Sequence, residues 1–271
     1  MREFLEDASA HRDDGYGRAQ AHMKRELPKR FYKEATVQMV GEGFAVGLDG
    51  KVPRTPGMKH VVVPFEVVAA AMAEEWAAQG EFIDPRTMPL VRLVNSAVEA
   101  GEESMPALRE EIVKYAANDL MLYRADAPDG LVRRQEEVWD AALIKLARYF
   151  GVRFQPTIGV LHQPQPEATL NRLGGALDGE PLLVLVAMNA IMSITGSGLL
   201  AMALRHGLLD AEGVWTAAHV DEDHNVSLWG EVEEITERRA RRREEFDTAV
   251  GLLEMTRQPA PLNEPAERTP R

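Results

Sequence analysis

The sequence contains no cysteine, so disulfides, thiolate metal sites and a cysteine nucleophile are all excluded. A basic surplus is missing as well. Lys and Arg number 31 against 43 Asp and Glu, for a net charge of −12 and a pI near 5.1. A general binder of nucleic acid or of an anionic membrane needs the opposite sign. No Gly-rich phosphate loop ends in Gly-Lys-Ser/Thr, and no GxGxxG follows a strand. Gly196-Ser197-Gly198 is no nucleophile elbow, because Thr195 stands where that motif requires glycine two places before the serine. The opening stretch, MREFLEDASAHRDDGYG, has no apolar secretion core and is too acidic for a mitochondrial presequence. A cytoplasmic protein is the simplest expectation, although a mature organellar form would look the same.

Long apolar runs are scarce, with one exception. PLLVLVAMNAIMSITGSGLLAMALRHG, residues 181–207, carries no charge between Glu180 and Arg205. Roughly 20 apolar residues suffice to span a bilayer. Three features point instead to a buried helix or helix pair. Asn189, Ser193, Thr195 and Ser197 put polar groups through the middle, Gly196-Ser197-Gly198 is a break signal, and neither flank has a basic cluster or aromatic belt. No membrane insertion is expected.

Ahead of that core the chain changes character twice. Residues 1–27 show little apolar periodicity and read as a mobile arm. From Arg30 onward, Thr36–Val40 and the alternating Phe44, Val46 and Leu48 read as strands, with Asp49-Gly50 as a hairpin turn into a strand resuming at Val52. Val61–Val63 gives another short strand, and Pro53 and Pro56 confine what lies between them to an edge or loop. A helix opened by Pro64 and ended near Gly80 carries Phe65, Val68, Met72 and Trp76 on one stripe. These pieces make an α+β unit over residues 28–100.

Residues 101–256 read as a larger all-helical unit. Ser104 is the expected N-cap of a helix burying Leu108, Ile112 and Tyr115. A longer helix runs from Leu131 to Phe150 and is closed by Gly151. Asp210 suits the cap of a helix through Val214 and Ala218. Ser227 or Asn225 is the expected start of the last helix, with Leu228, Val232, Ile235, Phe246, Val250 and Leu253 on its buried stripe. The proline-rich tail, 257–271, has nothing to bury and is expected to be disordered.

Chemistry-bearing clusters are few. Asp221, Glu222, Asp223 and His224, with His219 ahead, offer three- and four-residue spacings on one helix face. A metal-dependent enzyme built on Asp221, Glu222 and His224 is therefore the alternative to weigh. A second Glu-x-x-His unit, as a di-iron bundle needs, is missing. Arg238–Arg243 looks basic, but Glu234 and Arg238, Glu237 and Arg241, and Arg241 and Glu245 stand four apart, the spacing of a salt-bridged exposed helix. No nucleic-acid contact is expected there. Trp76 is read as a core residue whose indole N–H bonds to Glu75 or Gln79, and Asp119 with Arg124 as a structural ion pair. Trp139-Asp140 reads as a helix-face aromatic, and Trp229-Gly230-Glu231 as a turn.

Taken in order, RFYK at 30–33, GFAVGLDGKVPRTP at 43–56, EWAAQ at 75–79, MPL at 88–90, Tyr115 with NDLMLYRA at 118–125, Gln135 with Trp139-Asp140, and WGEVEE at 229–234 resemble the ATP synthase assembly chaperones. These act on the alpha subunit of the soluble catalytic sector (assembly factor two in mitochondria, with relatives in alphaproteobacteria). The resemblance spans about Arg30 to Phe246. Ala141 replaces the family's proline after Trp139-Asp140, and His224-Asn225 replaces an aromatic and Gln. The resemblance implies a chaperone rather than an enzyme, without cofactor, monomeric when free. It would bind the unassembled alpha subunit on its beta-facing surface and be released on assembly. An acidic position of the family falls on Asp221 or Glu222. Those two with Trp229 and Glu231 are the implied partner-binding residues, and Trp76, Gln79, Asp119, Arg124 and Trp139 the implied structural motif.

Overall fold

The computed structural model describes residues 27–257. The arm expected over 1–27 and the tail expected over 257–271 fall, apart from Leu27 and Arg257, outside the described residues. The fold is α+β. Strands β1 (Ala35–Val40) and β2 (Gly43–Leu48) pair antiparallel with Val37 opposite Val46. Their hairpin turns at Gly41-Glu42 rather than at Asp49-Gly50. The Asp49-Gly50 turn does form, with Leu48 and Lys51 exchanging backbone hydrogen bonds of 2.9 and 3.0 Å. It leads into no third strand, because Pro53 and Pro56 remove donors that a ladder needs. The chain rejoins the sheet only at Val63, which exchanges two 2.8 Å bonds with Phe44. Helix α1 (Glu66–Ala77) covers this sheet with Val68, Ala69, Met72 and Ala73.

Helices α2 (Pro89–Ala100) and α3 (Met105–Ala117) follow. Ser104 precedes α3 without capping it, because its hydroxyl donates to the Gly101 carbonyl at 2.7 Å. Tyr115 turns outward, and Ile112 and Ala116 make the buried face instead. Strands β3 (Tyr123–Arg124) and β4 (Thr157–Ile158) form a two-residue parallel pair. Between them run α4 (Asp129–Gln135), a π turn (Glu136–Asp140) and α5 (Ala141–Phe150), ended by Gly151 as expected.

The apolar run is a helix pair at the centre of the molecule. After α6 (Glu167–Gly175) come α7 (Leu182–Thr195) and α8 (Gly198–Arg205). Gly196, at φ 72°, ends α7 in the left-handed conformation that lacks a Cβ penalty, and the Ser197 hydroxyl caps α8 by accepting from Leu200 N–H at 2.9 Å. Gly-Ser-Gly is thus a corner. Two polar side chains of α7 bond inside the protein, Asn189 Nδ2 donating to the Leu108 and Leu185 carbonyls and Thr195 Oγ1 to that of Ile191, while Ser193 faces solvent. Helices α2, α3, α8, α9 (Ala211–Ala218) and α11 (Glu233–Met255) all pack on α7. No helix among the described residues is long and apolar enough to cross a membrane.

The C-terminal part departs from expectation. Asn225 and Ser227 lie inside α10 (Val220–Trp229), and α11 begins only at Glu233 with no side-chain cap. The stripe expected to be buried is split. Phe246, Val250 and Leu253 are in the core, whereas Leu228, Val232 and Ile235 are exposed. Helices α10 and α11, tied across by Arg239 and Asp223, therefore form a hairpin whose joined end is open to solvent while α10 packs on α4. Periodicity reports that a face is apolar, but not that a neighbour is there to cover it.

Candidate functional site

The family-like segments assemble into two polar units and one exposed tip. The first unit joins the end of α1 to the start of α2. Both carboxylate oxygens of Glu75 accept the free N–H groups of Leu90 and Val91, at 2.9 and 2.8 Å, and so cap α2. Burial pushes the Glu75 pKa up against these two bonds. Gln79 Oε1 accepts from Asp84 N–H at 2.8 Å, and its Nε2 donates to the Glu75 carbonyl and to Thr87 Oγ1. EWAAQ and MPL are therefore two halves of one cap. Trp76 packs edge-on against Tyr32, centroids 5.7 Å apart, and the Tyr32 hydroxyl donates to its carbonyl. Its indole N–H is bonded neither to Glu75 nor to Gln79, and has no partner among the described residues.

The second unit is the base of the hairpin. Arg124 does not pair with Asp119. Its guanidinium donates to Asp140 Oδ1 at 2.5 Å and to the Gln135 carbonyl at 3.1 Å, and lies 5.3 Å from the centre of the Trp139 ring. Trp139 is buried and donates its indole N–H to the Ala217 carbonyl at 2.8 Å. Gln135, also buried, accepts from Ala125 N–H and donates Nε2 to Asp221 Oδ1 at 2.8 Å. Asp221 is thus the point at which this network meets the first turn of α10. Three acidic residues in that turn also suit the positive end of the helix dipole.

Asp119 is elsewhere, fully buried under the corner between α7 and α8. Its carboxylate accepts from Ser197 Oγ at 2.7 Å, Leu199 N–H at 3.0 Å and Met121 N–H at 3.2 Å. Burial pushes its pKa up to about 6 despite these bonds. Nothing in the spacing of Asp119 and Arg124 signals that the two point to different elements.

The metal reading fails on donor geometry. Asp221 is held by Gln135. His219 is buried, and its Nδ1 donates to the Trp215 carbonyl at 2.7 Å while burial lowers its pKa. The His224 ring packs toward Gly130, where an added Cβ would meet Cε1 at 3.4 Å. Among the described residues no three His, Asp or Glu side chains come together as a ligand set.

The arginine run is also paired differently from its spacing. Arg239 bonds Asp223 on α10 at 2.5 Å, Arg243 bridges Glu212 on α9 and Asp247, and Arg242 donates to the Ile194 carbonyl at the end of α7. None of the three expected pairs, Glu234–Arg238, Glu237–Arg241 or Arg241–Glu245, is among the salt bridges of the described residues. These arginines pin α11 to three other helices, which is tertiary information that a helical wheel omits.

Beyond that pin the hairpin is bare. Trp229, the last residue of α10, is 84% exposed, with Leu228, Val232 and Ile235 also open to solvent. Glu231, Glu233 and Glu234 surround them, all exposed. Asp221 and Trp229 lie on one ten-residue helix, about 12 Å apart along its axis. One partner face can therefore touch both. Helical spacing in the sequence places Leu228, Val232 and Ile235 on a buried stripe, and the structure opens all three to solvent beside Trp229.

A family model described as ATP12 chaperone protein matches residues 29–147. The crystal structure of the Atu1473 protein of Agrobacterium tumefaciens superposes with a TM-score of 0.83 at 40% identity, covering 89% of this chain and 90% of that one. That of Atp12 from Paracoccus denitrificans does so with a TM-score of 0.80 at 33% identity, over 85% and 99% of the two chains. The mitochondrial protein atp12 of Schizosaccharomyces pombe is 21% identical over 221 residues, 77% of this chain and 76% of its own.

Proposed function

The chain belongs to the ATP12 chaperone family, and from that premise we propose that it is an ATP synthase assembly chaperone that holds the unassembled alpha subunit on the surface later covered by the beta subunit. It acts by binding, without catalysis, and gives up its client when beta arrives. The contact runs along α10 from Asp221 and Glu222 at the base to Trp229 and Glu231 at the tip.

The observation that carries this reading is the exposure of Trp229. The protein's other tryptophans are buried or half-buried, as at Trp139, Trp215 and Trp76. An indole and three aliphatic side chains at the joined end of this hairpin constitute an apolar patch that nothing covers among the described residues. Aromatic anchors of this kind supply most of the energy of protein–protein contacts. A subunit destined for an obligate oligomer presents a complementary apolar surface, and aggregates if left uncovered. The surrounding carboxylates make the grip polar at its rim and so exchangeable.

The test is capture of the organism's own alpha subunit by purified protein. Trp229→Ala is expected to weaken capture by about tenfold or more, the loss of roughly 1.4 kcal/mol or above that a buried aromatic anchor supplies. Glu222→Lys, at an exposed side chain, is expected to weaken it several-fold with thermal stability nearly unchanged, whereas Asp221→Lys also takes the acceptor from buried Gln135 and is expected to cost about 1–3 kcal/mol of stability, so its capture is read on the folded fraction. Capture left intact by all three variants sinks this assignment.

A further inference from the structure

Among the described residues, the sheet of β1 and β2 has one free edge. Strand β2 is flanked on both sides, by β1 and by the Val63 bridge, whereas β1 has β2 alone. The phase of the ladder fixes which groups face outward. Asp49 N–H donates to the Glu34 carbonyl at 3.0 Å, so Glu34 and Asp49 form a hydrogen-bonded pair. Such pairs recur every second residue, which turns the backbone of Thr36, Gln38 and Val40 toward β2 and that of Ala35, Val37 and Met39 away from it. The bonds between Phe44 and Val63 on the far side of β2 agree with that phase. Among the described residues, no group takes the N–H or C=O of Ala35, Val37 or Met39.

Edges like this are normally blunted by Pro, Lys or a bulge. The strand, Ala-Thr-Val-Gln-Met-Val, has none of these, and Met39 beside the open edge is 74% exposed. A row of unpaired N–H and C=O groups is satisfied by one kind of ligand, a polypeptide in extended conformation. Glu34 and Glu42 stand exposed at the two ends of the strand, with no salt bridge among the described residues. They complement a segment carrying Lys or Arg at its ends. A second copy of the chain is a poor occupant. Six residues of edge fall well short of the roughly 1,200 Å² at which stable interfaces begin.

We propose that β1 accepts an extended segment of the client polypeptide as an added strand, apolar at alternate positions and basic at its ends. This rests on the reading of the chain as a holder of an unassembled subunit, and adds to the hairpin a second contact of different chemistry.

The experiment is hydrogen exchange on the full chain, free and with the organism's alpha subunit, beside capture by Met39→Pro. Proline at position 39 removes an outward N–H and no ladder bond, so the fold is expected to keep its melting temperature within a few degrees. In the free chain the amides of Ala35, Val37 and Met39 are expected to exchange quickly, and those of Thr36, Gln38 and Val40 slowly. The alpha subunit should slow the first three by about tenfold or more, and Met39→Pro should weaken capture by about tenfold. Four results overturn the inference: unchanged capture by folded Met39→Pro, the three amides still fast in the complex, the three already slow in the free chain, or slowing with protein concentration alone. The last two mean that the edge is taken by another part of this chain or by a second copy. The exchange readout stands even if the variant misfolds. If the unaltered chain captures no alpha subunit, the functional assignment itself falls, which is distinct from capture that ignores position 39.

Discussion

Asp119→Ala is expected to cost the fold about 3–5 kcal/mol and to lower its melting temperature by roughly 10 °C. The carboxylate accepts from Ser197 Oγ and from the backbone N–H groups of Leu199 and Met121, in a site with no exposure. Removing it leaves two buried backbone donors and a hydroxyl without their acceptor, at about 1–3 kcal/mol each, offset by partial relaxation. A pH signature accompanies the loss. With its folded pKa raised from 3.8 to about 6, the folded chain holds a proton between those values that the unfolded chain has released. Stability therefore falls as pH rises through the window from 4 to 6, by up to about 3 kcal/mol. Asp49, Asp84 and Glu212 have the opposite shift, so their contribution fades only on further acidification, around and below the ordinary carboxylate range. Chemical denaturation at half-unit pH steps measures both. The alanine variant should lose the decline between pH 4 and 6, and a variant that kept that slope would show that Asp119 is not its source.

Gly198→Ala is expected to be at least as damaging, for a steric reason. A Cβ on Gly198 would lie 2.7 Å from the Ala116 backbone nitrogen and closer still to the Ile112 carbonyl oxygen. Both atoms belong to the backbone of α3 and cannot swing aside as a side chain would. Helix α8 must back away from α3, which loosens Leu199, Leu200, Ala201, Met202 and Ala203 together, all fully buried. Overpacking costs about 1–3 kcal/mol even where side chains can adjust, and here the loss should exceed about 3 kcal/mol. Unfolding at the parent's midpoint denaturant concentration checks this. A cost below about 1 kcal/mol would mean that α3 and α8 do not approach as closely as described.

These two positions show what the sequence discloses and what it withholds. The apolar stretch 181–207 announces a buried helix pair, and Gly-Ser-Gly announces its corner, because both signals are local. That the corner needs a carboxylate from residue 119 is a contact across 78 positions, invisible to periodicity. Asp119 and Arg124 look like a pair because they are near in the chain, yet one caps α8 and the other braces Trp139. The arginines of α11 mislead in the same way, since their acids lie on α9 and α10. The hairpin tip fails for a different reason. Leu228, Val232 and Ile235 have helical apolar spacing, and a stripe left open to solvent reads the same as one covered by the chain itself.

Helix α11 runs unbroken for 23 residues, from solvent-exposed Glu233 to half-buried Met255. Midway, Phe246 rests on Trp215 at 5.2 Å between ring centres, with the Arg243 guanidinium 5.2 Å from the same indole. A rod seated on a fluorophore is a strain gauge. Whatever grips the outer end tugs on the charge beside that indole, so the difference in tryptophan emission between the parent chain and Trp215→Phe should report client arrival and departure without any added label.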